Sequence, residues 1–370
     1  RGGAIWASGT FSLTDCLLTD NAITASGNSS NTVYGGALYG GSGTLTLTRC
    51  TFRNNAATGS GTTSSNTAYG GAIFNNVSSL LLANCSFLDN VASGSGNSGN
   101  TAYGGAIASS GVSLSVSGCS FRNNAVLATG AFNRIGGGAV YMTQGSPILI
   151  NSSFQNNRAS AVTPAGNSVV QNSIFGGAFY NQGSNPSIIN CSLLTNTVSV
   201  SVAGSPTNNS STASGGAFYN AQGLSLNSNV RVTNSVLWDN GGSNAIANPG
   251  GSLTMTYSLY EPSSVTTGVD VSGLGNLTAT TSPFVSSSSV ALATGSPAIN
   301  AGNPASVTVA SGPYSATALP ATDLVGNARI VGGRVDMGAV ETPCAVPTRL
   351  YVASSQTAVS GDGLSWQTAF

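Results

Sequence analysis

Histidine and lysine are absent from this 370-residue chain, and charge of either sign is scarce. Ten arginines and ten acids make up 5% of the residues and sum to zero, where an average soluble domain is about 25% charged. With no basic excess, composition points to neither nucleic acid nor an anionic membrane surface as a partner. Without histidine or lysine, the usual general bases reduce to carboxylates. Long hydrophobic runs are missing too: none approaches the ~18 residues of a membrane-spanning helix, so membrane insertion is not expected. No secretory leader is recognisable, and "RGGAIW" opens in mid-pattern, so the true N-terminus of the parent protein is expected to lie upstream.

What is present is glycine, 49 residues of it, with abundant Ser, Thr and Asn to supply solubility in place of charge. Such a neutral surface offers little repulsion against self-association. Low charge and high glycine would fit disorder, but 40% of the residues are hydrophobic and recur in short alternating runs. Disordered chains lack that apolar content.

Internal repeats decide the fold. Gly-Gly-Ala followed by an apolar residue begins at Gly2, Gly35, Gly70, Gly104, Gly137, Gly176 and Gly215. Each copy leads into a second block: "LTDCLLTDN", "LTRCTFRNN", "LANCSFLDN", "VSGCSFRNN", "LINSSFQNN", "IINCSLLTN" and "VTNSVLWDN". The seven units are 33 to 44 residues long. Inside a unit the period is two. In "TLTLTRCTFRNN", Leu45 and Leu47 alternate with Thr44, Thr46 and Thr48, and after a bend near Arg49, Cys50 and Phe52 take the inward face. That alternation predicts strands, three per unit, followed by a loop of Ser, Gly, Asn and Thr.

Identical units in series favour a solenoid, in which each strand pairs with its own copy one coil away, at about 4.8 Å. The expected class is therefore all-β: a parallel β-helix of about 34-residue coils with long loops on one corner. Gly-Gly supplies a tight corner and the following Ala faces inward beside it. Asn21, Asn55, Asn90, Asn124, Asn157, Asn196 and Asn240 form the strongest column, each five residues after the cysteine position. They are expected to form a structural ladder of stacked amides at a bend. Cys16, Cys50, Cys85, Cys119 and Cys191, replaced by Ser152 and Ser235 in two coils, form a second column, read as buried thiols that cannot bridge in register. Cys344 lies outside it and is the candidate for an unseen partner. Residues 1–240 are read as the seven-coil β-helix, 241–341 as last coils and a C-terminal cap, and 342–370 as a linker and the opening strand of a following block or subunit.

These motifs resemble a known group. The "GGAI…CxFxxN" units are similar to those of polymorphic outer-membrane proteins and related pectate-lyase-like surface proteins. The segment "GSPAINAG…DLVGNARIVGGRVDMGAVE" resembles the closing motif of choice-of-anchor β-helix proteins. The resemblance covers nearly the whole chain and implies a right-handed helix, a Bacteroidota-type cell-surface or secreted setting and tandem blocks. It also implies that Tyr351-Val352 and Gly363 to Phe370 open a block.

Enzymes of this fold cleave acidic polysaccharides with carboxylates clustered on neighbouring coils. Here Asp20, Asp89 and Asp239 share one column, with Asn54, Asn123, Asn156 and Thr195 on the other coils. Aspartates on adjacent coils would repel, and this column keeps them apart, a spacing unsuited to a catalytic pair or a shared cation. Asp323, Asp336 and Glu341 are expected to pair with Arg329 and Arg334, with binding of an ion as the alternative. The calcium β-roll pattern is absent, and the Thr face of "TLTLT" is not maintained in later coils, which removes a regular ice-binding grid. Tyr34, Tyr69 and Tyr103 should stack, more as packing beneath the adjoining loop than as a sugar platform. The sequence thus reads as a non-catalytic structural or adhesive element of an extracellular surface protein or filament. No cofactor, metal or catalytic residue is assigned. Self-association head to tail is expected, with Leu350, Val352, Trp366 and Phe370 as apolar anchors, and a glycan or surface ligand would belong on the loop face. The alternative is a carbohydrate-active β-helix enzyme, a polysaccharide lyase or hydrolase.

Overall fold

The computed structural model describes residues 1–343 apart from 63–64, 77–78, 98, 112, 224–227, 242–243, 266–267 and 306–318. The period-two alternation becomes strand along most of this length. The first coil holds β1 (Ile5–Ser8), β2 (Phe11–Thr14), β3 (Leu17–Thr19), β4 (Ala22–Ser26) and β5 (Asn31–Tyr34). Each pairs in parallel with its counterpart in the next coil. The sheets that start at β1, β2, β3, β4 and β5 contain 8, 9, 9, 6 and 7 strands in turn. This is a stack of repeated strands in parallel sheets, the arrangement of a parallel β-helix. Coils 1 to 7 are counted here from Gly2, Gly35, Gly70, Gly104, Gly137, Gly176 and Gly215.

Stacking puts like residues on like. Leu45, Leu80 and Leu114 are register partners across the β2 sheet. Across the β3 sheet, the buried rings of Phe52, Phe87, Phe121 and Phe154 stack with successive centroid distances of 5.0, 4.7 and 4.7 Å. Burying each such side chain contributes about 1.5–3 kcal/mol, and the central core continues through all seven coils.

The two corner glycines are required for different reasons. Gly70 has φ +66°, a left-handed conformation that side chains with a Cβ resist. Gly71 has no such constraint, but a Cβ there would lie 2.1 Å from the carbonyl oxygen of Gly105 in the next coil. The small Ala72 that follows is fully buried, as are Ala37, Ala106, Ala139, Ala178 and Ala217.

The segments expected to be loops leave the coil at one corner, as the sequence suggests, but they hold two more strands in each of coils 1–5 and three in coil 6. Ala56–Ser60 and Asn66–Tyr69 are examples from coil 2. The sheets built on β4 and β5 enclose a second, thin core of Ala57, Ala68, Ala92, Ala102, Val126 and Ile135. Alternation is hard to see there because the inward residue is Ala or Gly.

Beyond coil 7, strands at Ile246–Ala247, Ser252–Thr256 and Leu259–Tyr260 add a further layer. Val269–Asp270 and Leu277–Thr278 extend the β2 and β3 sheets once more. The remaining described residues, from 280 on, fold back along the flank of coils 5–7. Phe284, Leu292, Ala298 and Met337 pack on the outer side of the β3 sheet against Leu194, Val236 and Trp238. The segment expected as a cap is therefore joined to the side of the stack, because coils 5–7 present apolar residues outward there.

Candidate functional site

The seven ladder asparagines are brought into one line. Each side-chain Nδ2 donates to Oδ1 of the next, from Asn21 to Asn55 (2.9 Å), Asn90 (2.9 Å), Asn124 (2.9 Å), Asn157 (3.0 Å), Asn196 (2.9 Å) and Asn240 (2.8 Å). Each Oδ1 also accepts the backbone N–H of the asparagine one coil below, as Asn157 Oδ1 does from Asn124 at 3.0 Å. The second Nδ2 proton goes to a carbonyl of the preceding coil, as from Asn124 to Phe87 at 3.0 Å. Every polar atom of the interior amides is thus satisfied by another amide or by the backbone, and no donor is left for a ligand.

The cysteine column obeys a similar rule. Cys119 Sγ donates to the Ser117 carbonyl at 3.3 Å and accepts the backbone N–H of Cys85 at 3.3 Å. Ser152 does the same in coil 5, donating to Ile150 and accepting from Cys119. Cysteine and serine interchange because the position needs one small side chain that both donates and accepts. The five column cysteines are free thiols. Burial raises the pKa of Cys119 well above the ordinary thiol value and pushes Cys191 up to about 12, which keeps both protonated and unreactive.

The column of Asp20, Asn54, Asp89, Asn123, Asn156, Thr195 and Asp239 marks a bend in which every residue has φ between 51° and 57°. Asn and Asp tolerate this left-handed conformation better than other residues. Asn54 donates to Asp20 at 3.1 Å and Asn123 to Asp89 at 3.1 Å. Hydrogen bonding from Asn54 holds the Asp20 carboxyl below its usual pKa.

The acids of the flank are committed to structure. Asp323 accepts backbone N–H groups from Val325, Asn327 and Glu341; Asp336 accepts those of Asn300 and Thr342. Arg329 is buried and paired with Glu341 at 2.8 Å, and it also donates to the carbonyls of Gly338 and Ala339 and to the side chain of Asn151. Burial pushes the Glu341 carboxyl up to about 7 against the opposing pull of Arg329. Arg334, expected to share in this pairing, is exposed and forms no ion pair among the described residues; its hairpin with Val331 turns it outward. Among the described residues no group of three His, Cys, Asp or Glu side chains is placed to hold a metal ion.

Two lateral features could take a ligand. At the tips of the β4–β5 connections, Ser26, Ser60 and Ser95 with Gly27, Gly61 and Gly96 line an open groove of about 400 Å³. It is polar, uncharged and shallow. The second feature is an aromatic seam where the β5 sheet meets the outer face of the β1 sheet. Tyr34 and Tyr69 stack at 5.4 Å with a 6° interplanar angle, beside an outward column of Tyr39, Phe74, Ala108, Tyr141, Tyr180 and Tyr219. Arg134 donates to the Tyr180 hydroxyl at 3.2 Å. The tyrosine row expected from the sequence holds for Tyr34 and Tyr69, whereas Tyr103 is tilted by 41° from Tyr69 and stacks on Tyr141, and all belong to a larger cluster.

Sequence reasoning missed a second amide ladder through Asn31, Asn66, Asn100, Asn133 and Asn172, with links of 3.0, 3.3, 3.1 and 2.7 Å. Its signal was the first letter of the repeated "NTAYGGAI". It also missed Asn151, Asn190 and Asn234, which hold the flank by donating to the carbonyls of Thr322, Asp336 and Asn303. The assembly anchors Leu350, Val352, Trp366 and Phe370, and Cys344, lie outside the described residues. The chain matches no protein-family profile and no curated protein at a significant level.

Proposed function

We propose that the chain is a non-catalytic structural and adhesive element of an extracellular surface protein or filament, built to stack end to end. The observation that carries this reading is that the polar columns of the repeat are committed to the stack itself: each amide from Asn21 to Asn196 donates to the next, and the Asp20 and Asp89 carboxylates accept from asparagines of the next coil. The tail, with Leu350, Val352, Trp366 and Phe370 as its apolar contacts, lies in this proposal against the first coil of a following unit, whether a second subunit or the next block of a longer chain. Such a contact is heterologous and propagates without closing. The resemblance of the repeats to tandem-block surface proteins of the choice-of-anchor type agrees with this reading.

The placement of the acids favours it over polysaccharide cleavage. Asp20 and Asp89 stand two coils apart and are tied to asparagines, and Asp323, Asp336 and Glu341 are engaged by backbone amides and Arg329. The test is electron microscopy of native material alongside a truncation after Thr348. Filaments that shorten or vanish in the truncated protein are expected. Assembly unchanged by the truncation, or release of unsaturated products from polygalacturonate that one Asp→Asn substitution abolishes, overturns the proposal.

A further inference from the structure

The aromatic seam contains one interruption. Along the outer column of the β1 sheet, Trp6, Tyr39 and Phe74 are followed by Ala108, and the rings resume at Tyr141, Tyr180 and Tyr219. Phe74 and Tyr141 are the register partners of Ala108 on either side, so their backbones stand two strand spacings apart, about 9.6 Å. Tyr103, at the end of the coil before that of Ala108, inclines into part of this space and stacks on Tyr141 at 4.3 Å. Ala108 itself is fully buried in this ring cluster, and beside it a cavity of about 190 Å³ is lined by Tyr34, Tyr69, Phe74, Ser110, Tyr141 and Thr143.

The chemistry of this lining is specific in kind. Three tyrosines and one phenylalanine supply apolar ring surface, and Ser110, Thr143 and the phenols supply hydroxyl groups. No charged side chain lines the cavity; the nearest cations of the seam are engaged elsewhere, Arg1 over the Tyr39 ring at 5.3 Å and Arg134 on the Tyr180 hydroxyl. Ser110 Oγ is oriented by Asn76 Oδ1 at 3.0 Å, which leaves its lone pairs as acceptors at the rim. A small concave site with aromatic walls and a few placed hydroxyls suits a ligand that is apolar on one face and hydroxylated at its edge. A pyranose ring has that character: its axial C–H groups rest on an aromatic surface while its equatorial hydroxyls exchange hydrogen bonds with the rim. We propose that the cavity beside Ala108 is a binding slot for a single neutral pyranose residue of a glycan. With no carboxylate in the lining, the slot holds the sugar without cleaving it. It is distinct from an end-to-end contact, since it opens on the side of the stack, along coils 1–5.

The test is saturation-transfer NMR and calorimetry with the methyl glycosides of glucose, galactose, mannose and N-acetylglucosamine. One of them is expected to bind saturably, one molecule per chain. Tyr69→Ala, which removes a wall, and Ser110→Phe, which plugs the half-exposed rim, are each expected to weaken it at least tenfold. Thr62→Ala in the turn groove leaves it unchanged. Ser110 is at the surface, so this variant keeps the test decisive if Tyr69→Ala lowers the melting temperature. Saturable binding of none of the four, binding that survives both seam variants, or saturable binding of p-cresol in place of the glycosides overturns the proposal.

Discussion

The β2 and β3 sheets are built from equivalent strands in every coil, yet their outer faces differ between coils 2–4 and coils 5–7. In Thr44–Thr48, Ser79–Ala83 and Ser113–Ser117 burial alternates strictly. In the β2 sheet Ile148–Ile150 and Ser187–Ile189 are buried at every residue, although Asn229–Thr233 of coil 7 still alternates; in the β3 sheet Ser153–Gln155, Ser192–Leu194 and Val236–Trp238 are buried at every residue. The inward residues are of one kind throughout. What changes is the outward set: Thr46, Thr48, Arg53 and Arg122 give way to Ile148, Ile150, Leu194 and Trp238, over which the segment from 280 on is packed. A parallel strand covered on both faces reads as a continuous apolar run, and one open to water alternates. The bend between the two sheets follows the same division. Asp15, Arg49 and Asn84 are exposed in coils 1–3, whereas Asn151, Asn190 and Asn234 are buried and bonded to the flank. A repeat dictates the interior of such a stack, and departures from the repeat mark where something lies against its outside.

This comparison is broken most severely at Arg329. Replacing it by Met leaves Glu341 buried without its cation, and removing one partner of a buried pair costs about 3–5 kcal/mol. Hydrogen exchange should show the segment from 280 on and the outer faces of coils 5–7 losing protection, with coils 2–4 unaffected. Uniform loss along the whole stack would mean that the flank is not a separate layer. A smaller effect is expected from Ile150→Ser, about 2–4 kcal/mol through lost burial and an unfilled space. The reciprocal Ser117→Ile, on the open face, should stay within about 0.5 kcal/mol. Equal melting shifts for these two would remove the distinction between covered and open coils. The interior that both regions share is probed by Asn124→Leu, which leaves the amides of Asn90 and Asn157 unpaired and should cost about 1–3 kcal/mol. Asn97→Leu, at a turn tip, should change the melting temperature hardly at all, and comparable shifts for the pair would count against a structural ladder.

Much of the stack was legible because its period is carried by large or chemically distinct residues. Leu, Phe, Cys and Asn at fixed offsets specify which side chains turn inward, since each must lie on its own copy in the next coil. The strands of Ala56–Ser60 and Asn66–Tyr69 were harder to see. Their inward positions hold Ala and Gly, as the narrow space between the β4 and β5 sheets requires, and small residues give no clear hydrophobic alternation. The flank was read as a cap because its own sequence, rich in turns, carries no period that points to its docking surface. The counterpart signal lay far away, in the apolar runs "ILIN" and "IIN", and only the two together identify the contact.

The sequence alone therefore determined the repeat, the parallel stacking, the buried thiol column and the line of amides from Asn21 to Asn240. Each of these depends on short-range alternation and on identity between successive units, and both are written in the order of residues. Tertiary structure alone decided that the segment from 280 on lies along coils 5–7, that Arg329 reaches Asn151 across the boundary, and that Tyr34, Tyr69, Phe74 and Tyr141 of different coils border one cavity. Those features join residues that are distant in the chain and share no period, so their proximity arises only when the coils have been stacked.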